Sequence, residues 1–544
     1  MNTAALYHRT ESEHAYLYEK DHFHIRLRTQ AGDVAQVELL SGDPYTIEGD
    51  KWYENGKEMR KIASTNLHDY WLIDTHEQTN RMSYGFHVTG RDGIEVFYSD
   101  QGVYPYDEAF LQEASFYFRI PYIHEIDAFK APEWVKNTIW YQVFPDRFEN
   151  GDASIDPEGT LPWGDKENPS RDDFYGGDLR GLINRLDYLE DLGINGIYLC
   201  PIFKASSNHK YDTIDYYEVD PGFGDKETFK ELVDKAHERG IKIMLDAVFN
   251  HLGWHSPQWQ DVLKHQEASK YKDWFYIHSF PVDNLGEIWH SSQKWLNGDE
   301  FHAVMNYAFN DNIENYFLKK IITPSRMVSG LNAQMMLYRQ QTSEVMFNLL
   351  DSHDTSRLLT KAKGDKELVK SALAFMFAQK GTPCIFYGTE IGLYGEMDPD
   401  CRKCMIWDEE LQDQEMLGFT RDLIGFRKYY QKILTYGEIE WHDVRDDEQL
   451  IGFKRTLGNE SLIFYFNQDK DDAFLDMLPS EAVLSLETAT VHYDNQAVLH
   501  ENGFVVYYHV DTEAEKRMRT EQKRQRTKER MKRMKVLPSH LVRN

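Results

Sequence analysis

At 544 residues the chain is too long for one core, and usual domain sizes divide it into about three to four domains. A formal charge of −29 excludes nucleic acid and anionic membrane as main partners, because both demand a basic surface, and a neutral ligand is the simpler expectation. The first residues lack the basic patch and apolar run of a leader, no stretch approaches ~18 uninterrupted apolar residues, and four scattered cysteines make no disulfide framework; a cytoplasmic protein is expected.

Residues 1–125 hold short alternating runs, HFHIRLRT, VAQVELL, YWLID and YGFHVT, broken by Gly, Asp and Asn turns, which predicts a small β-sandwich. Over 126–430 the rhythm changes to apolar strand-like runs: IWYQVF, GIYLCPIF, IKIMLDAVF, AVMNY, VMFNLL and PCIFYG. Helical patterns such as GLINRLDYLEDLG and KETFKELVDKAHERG lie between several of them. Repeated βα units with fully apolar strands predict a parallel sheet covered by helices, and this many units points to a (β/α)8 TIM-type barrel. Alternation returns over 431–510, predicting a second β-sandwich. Residues 511–544 carry 12 Lys/Arg against 5 Asp/Glu and read as a solvated basic tail.

Three polar clusters emerge at the ends of apolar runs, where the active-site residues of a parallel barrel gather. Asp246-Ala-Val-Phe-Asn250-His251 follows the third run. Leu285-Gly-Glu287-Ile-Trp289-His290 sets a carboxylate inside another run, where burial costs several kcal/mol unless the group is paired or used. Asp351-Ser-His353-Asp354-Thr-Ser-Arg357 follows VMFNLL and places a carboxylate beside His and Arg. Plentiful aromatics suit stacking on sugar rings, and equally suit large cores.

In this order and position the three clusters resemble the signature regions of the α-amylase superfamily. Trp140-Tyr-Gln-Val-Phe-Pro-Asp-Arg-Phe148, Ser207-Asn-His-Lys-Tyr-Asp-Thr213, Tyr271-Lys-Asp-Trp274 and Asp398-Pro-Asp-Cys-Arg-Lys-Cys-Met405 narrow the resemblance to the neopullulanase, cyclomaltodextrinase and maltogenic amylase group. It implies Glu287 as general acid/base and Asp354 as the carboxylate that grips ring hydroxyls and stabilises the transition state. His209 with Tyr211, His251 and His353 are implied as walls of the sugar subsite beside the scissile bond, with Asp246, Asn250 and Trp289 from the same motifs as further substrate contacts. Asp398 and Arg402 resemble the pair that shapes the neighbouring subsite. Asn150, Asp152, Asp156, Gly176 and Asp178 resemble the group's Ca2+ site, although Ile155 stands where another oxygen donor is common. The group also dimerises through its N-terminal domain, which implies a homodimer in which Trp52 or Trp71 reaches the partner's cleft.

One part of the pattern is missing. The family's nucleophile lies on the fourth strand in a G-x-R-x-D motif, and the chain contains none. Only 36 residues separate Asn250 from Glu287. With about 30 residues per βα unit, a block of roughly 60 to 70 residues is absent, and the join is read at Phe280-Pro-Val-Asp-Asn284. The expected protein is an α-glucan hydrolase impaired by loss of this strand; the alternative is an inactive maltooligosaccharide-binding or regulatory relative. A substitute carboxylate is not placed by the sequence; Asp283, four residues before Glu287, is a candidate.

Overall fold

The structure is a computed structural model that describes residues 1–43, 45, 53, 56–77, 79–282, 296, 301–475, 482–493 and 496–513. Glu287, Trp289, Asp283, Trp52 and nearly all of the basic tail lie outside these residues. No helix among the described residues is long and apolar enough to cross a membrane. The chain separates into two compact units, Met1–Gly425 and Phe426–Asn544.

The first unit opens with two antiparallel sheets. One has the order Ala15–Glu19, His22–Gln30, His68–His76, Arg60–Ser64; the other runs Lys57–Glu58, Val34–Gly42, Met82–Gly90, Glu95–Ser99, Gly102–Pro105, with Phe118–Ile120 also on Met82–Gly90. In His22–Gln30 the alternation sends Phe23, Ile25 and Leu27 into the sandwich at full burial. The polar face is buried too, because Arg26 donates from Nη1 to the carbonyl of Met336 at 3.1 Å. Trp71 is a correction to the sequence reading: it is buried, with its indole N–H donated to Thr29 Oγ1 at 3.1 Å, and reaches no outside cleft.

Three histidines of this sandwich are buried and held neutral. His8 donates from Nδ1 to the Arg26 carbonyl at 2.8 Å and accepts from the Tyr84 hydroxyl at 2.7 Å; burial lowers its pKa to about 4. Burial lowers His14 and His24 to about 3, with Arg26 adding to both shifts. His24 stacks on Tyr18 and accepts from the Tyr16 hydroxyl at 3.0 Å.

The parallel sheet of the first unit has the order Lys242–Leu245, Gly196–Leu199, Trp140–Val143, Thr382–Phe386, Phe347–Asn348, and Met305 adds one parallel bridge to Phe347. These are the strands of the (β/α)8 barrel in sequential register, with helices such as Leu179–Asn184, Lys226–Glu238 and Lys366–Ala378 between them. Lys226–Glu238 is capped by Asp225, which accepts from the Thr228 N–H, and packs through Leu232 and Ala236. Every residue of Trp140–Val143, Gly196–Leu199, Thr382–Phe386 and Phe347–Asn348 is buried. In Lys242–Leu245 none is: all four are half-buried, and among the described residues this strand pairs on one side only.

In the second unit one antiparallel sheet runs Glu438–Arg445, Leu450–Leu457, Glu460–Asn467, Gln496–Val510 and Ala473–Leu475, with Val483–Tyr493 also on Gln496–Val510. The expected C-terminal strands thus hydrogen-bond into a single sheet, because the 15-residue strand Gln496–Val510 takes partners along both edges.

Candidate active site

The site lies where the barrel strands end. Gln142, the one amide side chain in the first strand, points into the barrel and donates from Nε2 to His353 Nδ1 at 2.7 Å. The ring proton of His353 therefore sits on Nε2, which meets the Tyr211 hydroxyl at 2.6 Å. That hydroxyl donates in turn to Asp246 Oδ2 at 2.7 Å. Tyr198, from the second strand, donates to the same oxygen at 2.5 Å. The rings of Tyr211 and His353 are parallel within 5° at 5.3 Å. Burial, with help from Arg402, lowers the His353 pKa to about 3 and keeps the ring neutral.

Arg402 organises the other wall. It donates from Nε to the His353 carbonyl at 2.8 Å, and its two terminal nitrogens reach Asp398 Oδ1 at 2.8 Å and Asp354 Oδ1 at 3.3 Å. Desolvation raises the Asp354 carboxyl pKa, and Arg402 opposes the shift. Arg171 pairs with the far oxygen of Asp398 at 2.9 Å. Arg171, His209, Tyr211, Asp398 and Arg402 enclose a hollow of about 250 Å3. His209 Nδ1 accepts from the Tyr211 N–H at 3.1 Å, which leaves its Nε2–H as a donor at the hollow. Aromatic faces, neutral histidines and an Arg-clamped carboxylate make a wall suited to a polyhydroxylated neutral ring.

Of the residues expected from sequence, the structure brings together His209, Tyr211, Asp246, His353, Asp354, Asp398 and Arg402. His251 supports them from behind, with Nε2 at 2.8 Å from the Tyr211 carbonyl. Asn250 is exposed on the loop after Lys242–Leu245. Glu287 and Trp289 fall outside the described residues. Sequence reasoning passed over Gln142, Tyr198 and Arg171. For the first two the signal was present: a polar atom inside a fully apolar strand must find a partner. For Arg171, in a loop, there was none.

The loop residues expected around a cation also converge. Asn150 donates to both oxygens of Asp156 at 2.9 and 3.1 Å. A Cβ on Gly176 (φ +77°) would come within 2.4 Å of both side chains, so only glycine allows this approach. Asp178 caps the helix Leu179–Asn184 through Gly181 and receives the N–H groups of Gly151 and Asp152. Burial raises its pKa. No group of three His, Cys, Asp or Glu side chains suited to a metal occurs among the described residues; the donors gathered here mix one amide, carboxylates and backbone, the set a hard cation takes.

The sequence profile of the alpha amylase catalytic domain matches residues 142–285 and 282–449, and that of the alpha amylase N-terminal ig-like domain matches residues 1–124. The chain belongs to the α-amylase family. It is 47% identical over 539 residues to the intracellular maltogenic amylase of Bacillus subtilis (strain 168), covering 86% of this chain and 91% of that one. It is 40% identical over 551 residues to the cyclomaltodextrinase of Geobacillus thermopakistaniensis (strain MAS1), covering 88% and 93%. A solved cyclomaltodextrinase superposes with a TM-score of 0.85 at 35% identity, over 94% of this chain and 100% of that one. This is a glycoside hydrolase fold of the cyclomaltodextrinase and maltogenic amylase group.

The comparisons also bear on the short stretch between Asn250 and Glu287. The Bacillus subtilis alignment spans 539 positions, whereas 86% of 544 residues is about 468, so about 70 positions have no residue of this chain opposite them. The two stretches matched by the catalytic-domain profile meet at 282–285.

Proposed function

We propose that this chain carries the α-glucan site of an enzyme acting on the α-1,4 bonds, and some α-1,6 bonds, of cyclodextrins, pullulan, starch or maltooligosaccharides, and that its retaining hydrolysis is strongly impaired. One observation carries the reading: the sugar wall is assembled, while the barrel edge beside it at Lys242–Leu245 is unpaired among the described residues. A retaining glycosidase needs two carboxyl groups about 5–5.5 Å apart, one as acid/base and one as nucleophile. Asp354 is gripped by Arg402, Asp398 lies between Arg402 and Arg171, and Asp246 Oδ2 takes two tyrosine hydroxyls. These carboxylates orient and bind; none is placed by this network to attack a sugar carbon. The names of the matched relatives, maltogenic amylase and cyclomaltodextrinase, support the glucan class.

Calorimetric titration with maltoheptaose tests the site. Saturable binding is expected, and Tyr211→Ala raises Kd about tenfold or more through loss of a stacking face worth about 1.4 kcal/mol. An unchanged Kd in the variant removes Tyr211 from the sugar wall.

Asn150, Asp152, Asp156, Gly176 and Asp178 are proposed to hold a structural Ca2+, whose charge ties the loop after the first strand to the N-terminus of Leu179–Asn184. A ligand bound only by the folded state at a hundredfold excess over Kd stabilises by about 2.7 kcal/mol. Chelation should therefore lower Tm, and identical melting with and without chelator rejects the ion.

A homodimer is proposed on the strength of the matched N-terminal domain. Sedimentation should give twice the chain mass; a monomer at every concentration rules it out. A cytoplasmic location is supported by the Bacillus subtilis relative, which is named intracellular.

A further inference from the structure

Arg171 stands at the hollow beside Tyr211 and Asp398 without belonging to any motif that carries the family resemblance; it lies between the segments 140–148 and 207–213. Its backbone is fixed. The loop that carries it is closed at its base by the Leu161 N–H on the Phe174 carbonyl at 2.8 Å, and it is tied to the opposite wall by the Trp163 indole N–H on the Met405 carbonyl at 3.0 Å. At its tip the Ser170 N–H donates to Asp173 Oδ2 at 2.7 Å, which sets Arg171 and Asp172 in the middle of a tight turn. The buried Asn208, next to His209 in the chain, donates from Nδ2 to the carbonyls of Arg171 at 2.9 Å and Asp173 at 2.7 Å. The buried Arg147 donates to the same Asp173 carbonyl at 2.7 Å. The turn and the His209 wall are hydrogen-bonded into one piece.

The Arg171 side chain is the opposite case. It is 66% exposed, and its ion pair with Asp398 is of the exposed kind that adds little to stability. Asp398 is held without it, because its Oδ1 meets the buried Arg402 at 2.8 Å. What Arg171 adds is a fork of N–H donors beside a carboxylate oxygen, at the rim of a hollow of about 250 Å3. A donor fork next to an acceptor is complementary to two adjacent hydroxyls of one sugar ring: one hydroxyl donates to the carboxylate and its neighbour accepts from the guanidinium.

We propose that Arg171 is a specificity-determining residue, which together with Asp398 Oδ2 binds adjacent hydroxyls of a glucose unit seated in the hollow and so favours longer glucans over single rings. The proposal rests on the reading above of the hollow as part of a glucan site. Because the turn is fixed, only the side chain has to adjust when a sugar arrives, and the exposed contact it gives up on Asp398 is a weak one. The hydroxyls gain a charged donor in exchange, the stronger kind of hydrogen bond.

The test is calorimetric titration of the full chain with methyl α-glucoside, maltose, maltotriose and maltoheptaose, the weak ligands by competition, repeated with Arg171→Ala and Arg171→Lys. In the unaltered chain Kd should fall as the ligand lengthens. In Arg171→Ala the ratio of Kd between the single-ring ligand and maltoheptaose should shrink about tenfold, with Tm unchanged because the side chain is exposed. Arg171→Lys keeps the charge beside Asp398 but not the fork, and should recover only part of the lost affinity. A ratio in Arg171→Ala equal to that of the unaltered chain overturns the proposal. So does full recovery by Arg171→Lys, which would mean that Arg171 only props Asp398 and makes no forked contact with the sugar. If the unaltered chain binds none of the four ligands, the glucan reading falls and this proposal with it; binding that ignores Arg171 ends the proposal alone.

Discussion

Assayed on cyclodextrin, pullulan and soluble starch beside a version with the block restored between Asn250 and Glu287, the purified chain will turn over slower by as much as about 10⁶-fold. The magnitude follows from cooperativity: residues that act as one catalytic unit lose nearly everything when one is removed. In the proposed site Asp354 would still be there to hold hydroxyls, and Arg402, His353 and Tyr211, bonded to one another and to their neighbours, would still line the subsite. Water attack on an oxocarbenium-like species would need a general base at the ~6.5–9.5 Å separation of inverting enzymes, and the bonded carboxylates described here have other partners. Comparable turnover by both proteins would show that a nucleophile exists elsewhere in the chain. Asp283→Asn would then be the first variant to make.

Acid should destabilise the first unit well before its carboxylates titrate. His8, with a pKa of about 4, and His14 and His24, at about 3, are depressed from an ordinary 6.5 by burial. Below pH 6.5 the unfolded chain binds protons that the folded chain refuses, so stability falls as pH falls, down to the folded pKa values. Each histidine contributes a slope of about 1.4 kcal/mol per pH unit in that window. Urea midpoints measured from pH 7 to pH 5 should drop steeply, and His24→Gln should flatten the curve. A flat wild-type profile would mean that the three rings are protonated without cost and that their burial is misjudged.

Period-two and period-3.6 patterns made the main elements legible, because alternation and apolar runs report burial directly. The polar clusters at strand ends were legible for the same reason: polar groups interrupt apolar runs only where they are used or paired. What the sequence could not provide was lateral contact. Gln142 and Tyr198 sit in a strand pattern whose partners, His353 and Asp246, lie far along the chain. Arg26 reads as a solvent-facing position of an alternating strand and is buried because the sandwich packs against the barrel segment ending at Tyr338. Trp71 reads as a free aromatic and is closed off by Thr29. The missing strand was read from a spacing, 36 residues where a βα unit and an insertion belong; among the described residues Lys242–Leu245 is half-buried and pairs on one side only.

The central proposal is that this chain binds a glucan and that none of its described carboxylates can take the sugar covalently. Intact-protein mass spectrometry after incubation with 5-fluoro-α-glucosyl fluoride, which accumulates the glycosyl-enzyme of retaining α-glucosidic enzymes, tests it most directly. The expected spectrum holds a single species at the unmodified mass, while the block-restored version gains one sugar. A glycosyl adduct on the unaltered chain would contradict the account, and its position after digestion would name the nucleophile.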